Sequence, residues 1–402
     1  MSKVVALSEG RLSLFAGVEG EPLQPATTPT RKPKVEDLSS TCTTAVLCIR
    51  NTGIKTSLSG SGPSATRIRA TIVYLSTELS RGMCRKLGAL ESSTQVASRI
   101  TEVTDLWLDG ADPTEADLRV ASSLVARLGT IEGVRPFSSV VDRLVESVSR
   151  PDFELVEVCK LIELDPALAS RVLRMANSAA YKGQDPCASV AKAVVRIGAT
   201  NIAGLAMAMS AMAMFQDLGG IARRIRDHSA GTAVVARELA LSLGCTQLAP
   251  KVFLTGLLHD IGKLLIIQSG DKAYAELAAR ERVPSSIHHA EVSMLGFDHG
   301  LLGACVLKSW NIPAPIPQLI AWHHQPKGAC GATAWARALD LLRLADVIDW
   351  LLGQGCQASS PWVARLSLSP DGVRAGLSTD TLPSLWKDLR AVRTEALEIF
   401  AY

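Results

Sequence analysis

From about Thr130 onward, apolar residues recur at helical spacing, separated by short turns, with almost no alternating strand pattern. The pattern predicts helices over Ser138–Ser147, Phe153–Glu163, Ser189–Arg196, Ile221–Leu243, Lys251–Gln268 and Lys272–Arg280. More follow over His289–Trp310, Ile316–His324 and Ala334–Leu352, and two within Ser369–Tyr402. Asp165-Pro166 opens another, reaching about Ala176, with an N-cap acid and proline at the first helical position. Ile197–Gln216 is a run of twenty uncharged residues, long enough to span a bilayer. It is built largely from Ala, Gly, Met, Ser, Thr and Asn, however, and reads as a buried core helix with Met filling gaps.

The first third is different. Residues 1–65 are rich in Pro, Thr, Ser and Gly, including the segment Ser57–Ser64, and are expected to form a poorly structured extension with one short strand over Thr44–Ile49. Residues 66–129 predict helices over Arg67–Ser80 and Pro113–Leu128 without defining a fold. The expected organisation is therefore an extension (1–65), a helical segment (66–129), an all-α domain (130–355) and a helical tail (356–402).

Composition narrows the function classes. With 402 residues the chain can bury a large core, and 47% hydrophobic with 20% charged residues excludes a wholly disordered protein. A net charge of +3, from 42 basic and 39 acidic residues, gives no nucleic-acid or membrane signature. The basic face Arg223, Arg224 and Arg226 is read as solvated. Nine Cys without a Cys-x-x-Cys pair indicate neither a disulfide scaffold nor a zinc ribbon. The interrupted apolar run near Met1 makes no secretory signal, so a cytoplasmic location is expected.

All seven His lie between His228 and His324. Around Lys251–Gln268 the sequence is apolar almost all round, yet its interior carries His259, Asp260 and Lys263. A bare buried carboxylate would cost several kcal/mol, so Asp260 needs compensation by Lys263, one turn on, or by a metal ion shared with His259. His228 falls in the inward stripe of its own helix. His299 follows Gly296-Phe297-Asp298, His323-His324 end a segment, and Asp346 has apolar neighbours a turn away on each side, with Asp340 and Asp349 as rivals. The candidate metal ligands are thus His228, His259, Asp260, His299, His323, His324 and Asp346. Such a set suits Mn, Fe, Zn or Mg, and Asp260 could bridge two ions. His288 and His289 are read as solvated and outside the site. Asn177 and Ser178 are read as helix C-terminal hydrogen bonders, and Trp310, Trp322, Trp335 and Trp350 as core or interface anchors. Cys305 and Cys330 carry no mark of a nucleophile.

The order His228, His259-Asp260, Asp346 resembles the H…HD…D quartet of the HD superfamily of metal-dependent phosphohydrolases. Residues 134–350 are similar to the HDOD family, the HD-related output domain of bacterial signalling proteins. The resemblance rests on Leu164-Asp165-Pro166-Ala167-Leu168, Leu173-Arg174-Met175-Ala176-Asn177-Ser178-Ala179-Ala180-Tyr181, Ala193-Val194-Val195-Arg196-Ile197-Gly198, Gly256-Leu257-Leu258-His259-Asp260-Ile261-Gly262-Lys263, Gly296-Phe297-Asp298-His299, Trp310-Asn311-Ile312-Pro313 and His323-His324, in that order.

The resemblance implies an HD-superfamily-like bundle of roughly a dozen helices. It also implies a bacterial signal-transduction output module that acts through other signalling proteins, with or without a bound divalent metal. The alternative it leaves open is a metal-dependent phosphohydrolase acting on a nucleotide or cyclic dinucleotide, with Asp260 and Lys263 as its catalytic pair. Relatives that cleave cyclic di-GMP carry a His-His-Glu motif and a Gly-Tyr-Pro signature. Here Gln325-Pro326-Lys327-Gly328 follow His323-His324, which argues against that substrate.

Overall fold

The computed structural model describes residues 3–8, 11–16, 45–50, 53–58, 93–108, 111–131, 139–150, 152–178, 181, 183, 185–215, 218–280, 287–325 and 335–400. The predicted helix Arg67–Ser80 lies outside them, as do Pro326–Gly328 and Cys330. The chain divides into two units, residues 1–126 and 127–402.

In the first unit, β1 (Lys3–Ser8), β2 (Arg11–Ala16), β3 (Ala45–Arg50) and β4 (Gly53–Leu58) form an antiparallel sheet in the order β2-β1-β3-β4. Only β3 corresponds to a strand read in the sequence. The β1–β2 and β3–β4 connections are two-residue hairpins, with Ser8 opposite Arg11 and Arg50 opposite Gly53. Two helices follow, α1 (Ser93–Leu108) and α2 (Glu115–Ile131), the latter running across the boundary between the units.

The second unit is all helical among its described residues. Its first elements are α3 (Ser139–Ser149), α4 (Leu155–Glu163), α5 (Pro166–Asn177), α6 (Val190–Ile197) and α7 (Ala199–Ala213). The Asp165 carboxylate accepts from the backbone N–H groups of Ala167 and Leu168, fixing the start of α5. At its other end, Ser178 donates to the Met175 carbonyl, and the Asn177 amide reaches both Leu173 and Cys187, clasping the following loop. The uncharged run is buried as expected, with Ile202, Leu205, Met207, Met209 and Met212 inside. Gly198, at φ +91°, turns the chain by 103° between α6 and α7. No single helix among the described residues is long and apolar enough to cross a membrane.

The longest helix, α8 (Gly219–Ser242), is the axis of the unit. Packed against it are α9 (Ala249–Leu258), α15 (Ala336–Gly353) and α18 (Leu382–Ile399). Between α9 and α15 run α10 (Ile261–Gln268), α11 (Lys272–Arg280), α12 (Ile287–Leu295), α13 (His299–Ser309) and α14 (Ile316–Trp322). Two short helices, α16 (Pro361–Leu368) and α17 (Pro370–Ala375), precede α18. The tail thus holds the two expected helices, with α16 in addition just before them.

Two predicted helices are each split. Lys251–Gln268 breaks at His259-Asp260, and His289–Trp310 breaks at Gly296–Asp298 with a bend of 75°. In an unbroken helix successive side chains diverge by about 100°. The breaks let neighbouring polar side chains converge instead. The new helices α10 and α13 cross closely at Gly262, where a Cβ would run into the carbonyl of His299.

This crossing gives a test. Gly262→Ala should lower stability by about 1–3 kcal/mol in urea unfolding, as overpacking at a backbone contact does. Gly220→Ala has open space around the position and should be neutral or slightly stabilising. Equal stabilities would contradict the close crossing.

Candidate metal centre

Two of the expected ligands sit at helix ends. His259 follows α9 and His323 follows α14. The last carbonyls of a helix lack intrahelical partners. Each imidazole uses this: His259 Nδ1 lies 2.8 Å from the Gly256 carbonyl, and His323 Nδ1 lies 2.6 Å from that of Ile320. An imidazole nitrogen facing a carbonyl must carry the proton, so Nε2 of each ring presents a lone pair. Both Nε2 atoms are buried and have no hydrogen-bond partner among the described residues. Such atoms are costly unless something electron-deficient faces them. Arg343 secures the end of α14 by donating to the carbonyls of Trp322 and His323.

His299 opens α13 and is fully buried. Its Nδ1 lies 2.7 Å from Glu291, whose other carboxylate oxygen accepts from the Tyr274 hydroxyl at 2.6 Å. Its Nε2 faces Asp260 Oδ1 at 3.1 Å and His324 Nε2 at 3.1 Å. Asp260 is 2% exposed, with its second oxygen 3.0 Å from Lys263 Nζ. On the other side of Asp260, His259 Nε2 is 3.5 Å from Oδ1. His228 Nε2 is 2.9 Å from Asp346 Oδ1, which lies 3.9 Å from His259 Nε2.

All seven expected ligands therefore converge. Two groups can each gather ligand atoms within 4.8 Å: His228, His259 and Asp260, and Asp260, His299, His323 and His324. Asp260 belongs to both. Asp346 adds to the first through its contacts with His228 and His259. Its rivals are accounted for differently. Asp340 pairs with Arg374, and Asp349 stands behind His228, with Oδ2 2.7 Å from His228 Nδ1.

The electrostatics show a charge-dense interior. Burial opposes a charge on His228, but hydrogen bonds to Asp346 and Asp349 outweigh it and push its pKa up to about 10. His299 likewise rises to about 10, against burial, because Glu291 and Asp260 flank it. Burial pushes Glu291 upward, yet the His299 charge and its hydrogen bonds carry it down to about 2. For Asp260, burial is overcome by His259, Lys263 and His299, and its carboxyl falls well below the usual range. Burial lowers His259, and lowers His323 and His324 strongly, keeping them neutral. Neutral imidazoles and ionised carboxylates are the protonation states that ligate a cation.

Some site residues escaped the sequence reading. Glu291 is fully buried one helical turn after buried Ile287, so its phase with the apolar stripe was the available signal. His288 is half-buried and stacks on His324 at 4.9 Å and 8°, rather than being solvated, while His289 is exposed. Arg226 is also buried, unlike the exposed Arg223 and Arg224. Gln325 donates to Asp298, which caps the start of α13, so the residue that follows His323-His324 supports the His299 helix.

The donor set fits a divalent cation: imidazole nitrogens with open lone pairs, shared carboxylates, and carboxylates behind two of the imidazoles. The approach is a cavity of about 380 Å³, lined by His228, Asp260, Lys263, Arg224, Trp350 and Arg393 among others.

Residues 134–326 match the family model of the HDOD domain, and this chain carries an HDOD domain. The crystal structure of an HDOD domain protein of unknown function from Geobacter sulfurreducens superposes with a TM-score of 0.56 at 21% identity, covering 71% of this chain and 99% of that one. A Shewanella amazonensis SB2B protein named as a candidate phosphohydrolase gives 0.54 at 23% identity, covering 69% and 98%. A candidate signal transduction protein from Marinobacter aquaeolei VT8 gives 0.50 at 16%, covering 85% and 68%. These likenesses establish the fold. An uncharacterized protein of Treponema pallidum (strain Nichols) is 24% identical over 209 residues, which span 51% of this chain and 40% of that protein. The match thus spans about two fifths of that relative's length. Asp346 lies beyond the matched segment, on α15.

The raised pKa of His228 has a signed consequence. Its stabilising charge is fully present below the ordinary 6.5 and is lost as pH rises through about 10. The metal-free chain should therefore lose melting temperature across that window. Metal must displace the protons on His228 and His299, so its uptake at neutral pH should release protons. Calorimetry in two buffers of different ionisation enthalpy measures that release, and an uptake with no proton release would contradict the assignment.

Proposed function

We propose that the chain is a metal-binding signal-transduction module whose HDOD domain holds a two-cation centre able to hydrolyse phosphoesters. One observation carries this reading: two buried ligand groups share Asp260, while His259 Nε2 and His323 Nε2 point lone pairs into the same space. Cations bridged by one carboxylate activate a bound water and neutralise phosphoryl oxygens. The chain's residues supply the rest. His228, His259 and Asp346 would hold one cation, His299, His323 and His324 the other, and Asp260 both. Lys263 neutralises the outer oxygen of Asp260 and lines the cavity, where it can meet a substrate phosphate. Glu291 and Asp349 orient His299 and His228. The names of the solved relatives, phosphohydrolase and signal transduction protein, are consistent with this combination.

A second reading, output through binding another signalling protein, is favoured by a specific feature. Leu155, Val156 and Leu164 on or beside α4, and Val195 on α6, are 47–75% exposed on two helices that pack together. Apolar side chains gathered on a surface mark interaction sites. The two readings are compatible, since a metal centre can set the state of the helices around it.

The test is to purify the chain without chelator, measure bound metal, and assay cleavage of bis-p-nitrophenyl phosphate with Mn²⁺ or Fe²⁺. Asp260→Ala should abolish both stoichiometric metal and turnover. Metal without turnover would remove the hydrolase reading and leave the interaction module. A folded, metal-free wild type would overturn the metal centre.

A further inference from the structure

The C-terminal helix α18 reaches the centre through one side chain. Arg393 Nε donates to Asp349 Oδ1 at 2.7 Å, and Asp349 Oδ2 lies 2.7 Å from His228 Nδ1. His228 Nε2 then faces the Asp346 carboxylate. Three helices, α18, α15 and α8, are thus joined in one chain of polar contacts that ends at a proposed ligand. Asp349 is 1% exposed and Arg393 19%. A carboxylate so buried needs both partners to be satisfied.

The space for this chain is built into the backbone. Gly231, three residues after His228 on α8, lies where any Cβ would overlap the Asp349 carboxylate. Gly353, the last residue of α15, would place a Cβ 3.1 Å from Arg393 Nη2. Farther back on α18, Trp386 Nε1 and Arg390 Nη2 both donate to the Cys356 carbonyl, at 3.0 and 2.5 Å. Residues 386, 390 and 393 recur at spacings of four and three, so one face of α18 is keyed to the end of α15. Surface ion pairs contribute little, but this one is largely enclosed and shares its carboxylate with a proposed ligand.

We infer that Arg393 is a positioning residue of the metal centre, holding Asp349 so that His228 turns Nε2 toward the cation, and that α18 thereby couples to the His228 subsite. The inference rests on the metal reading above. It makes the two subsites unequal: His299 takes its orientation from Glu291, itself held by Tyr274 of α11, whereas His228 takes it from Asp349, held by the C-terminal helix. A change in the seating of α18 would alter occupancy at one subsite and spare the other, and metal uptake at His228 would in turn favour the seated helix.

The experiment uses the full chain and Mn²⁺ alone, followed by equilibrium binding and by the electron paramagnetic resonance signal of the bound ion. The wild type should take up two Mn²⁺ per chain. Arg393→Met should weaken one of them by about 10-fold, the low end of the range for groups bonded directly to metal-ligating histidines because it acts through Asp349, and leave the other unchanged. Arg393→Lys should recover part of the loss. Gly231→Ala, whose Cβ would collide with the Asp349 oxygen that Arg393 holds, should weaken the same ion. Thermal unfolding of the metal-free variants separates positioning from general damage. Equal loss at both subsites, or two ions at wild-type affinity in Arg393→Met, would overturn the inference while the metal reading stands. A wild type that binds no Mn²⁺ would overturn both.

Discussion

A carboxylate buried to 2% exposure, Asp260, cannot remain ionised in an apolar interior unless positive charge is brought to it. Much of the second helical unit is arranged around that requirement. Lys263 supplies one cation from the next turn of the chain, and the protonated His299 stands on the opposite oxygen. On the proposed metal reading, cations would displace the protons that His228 and His299 carry in this state. Exchange of protons for metal is then a substitution within a site already organised for positive charge. The local electrostatics change little in sign, and the supporting hydrogen bonds need not move.

Helix ends do the positioning. His259, Asp260, His299, His323 and His324 all lie at the boundaries of α9, α10, α13 and α14. At such boundaries backbone carbonyls are free to fix an imidazole tautomer, and the chain can change direction so that adjacent side chains converge. The two candidate ligands within helices, His228 and Asp346, come from α8 and α15, which pack together. Glu291 stands behind His299 and Asp349 behind His228, each at 2.7 Å, and Arg393 holds Asp349 in turn. A phosphohydrolase and a protein-binding output module would both need this rigidity. What separates them is whether the cavity beside His228 admits a substrate while the cations are bound.

The helical class and the seven candidate ligands that the fold brings together were legible in the sequence because both depend on local pattern: apolar periodicity, and polar residues interrupting it. His259-Asp260 stood out because they interrupt a run that is otherwise apolar almost all round, with Lys263 as the one charged residue near enough to answer Asp260. The break at these residues was not legible, since both are compatible with helix and only the fold shows α10 turned onto α13 at Gly262. Glu291 and Arg393 were missed for another reason. Each looks like an ordinary charged residue on an amphipathic helix; the spacing of Glu291 from Ile287 was its one signal, and the inward face of Arg393 is revealed by the fold. Asp349 could be named as a rival to Asp346, but three residues apart on one helix the two point in neighbouring directions, and only His228, with a nitrogen for each, assigns them. The strands of the first unit are short and flanked by Pro, Ser and Thr, so composition there spoke more strongly than alternation.

Diffraction from crystals grown with Mn²⁺, collected at the manganese absorption edge, tests the central claim most directly. Two anomalous peaks should appear on either side of Asp260, one among His228, His259 and Asp346 and the other among His299, His323 and His324. A map with no peak there, with Asp260 still paired to Lys263 and His299 in metal-saturated crystals, would contradict the account.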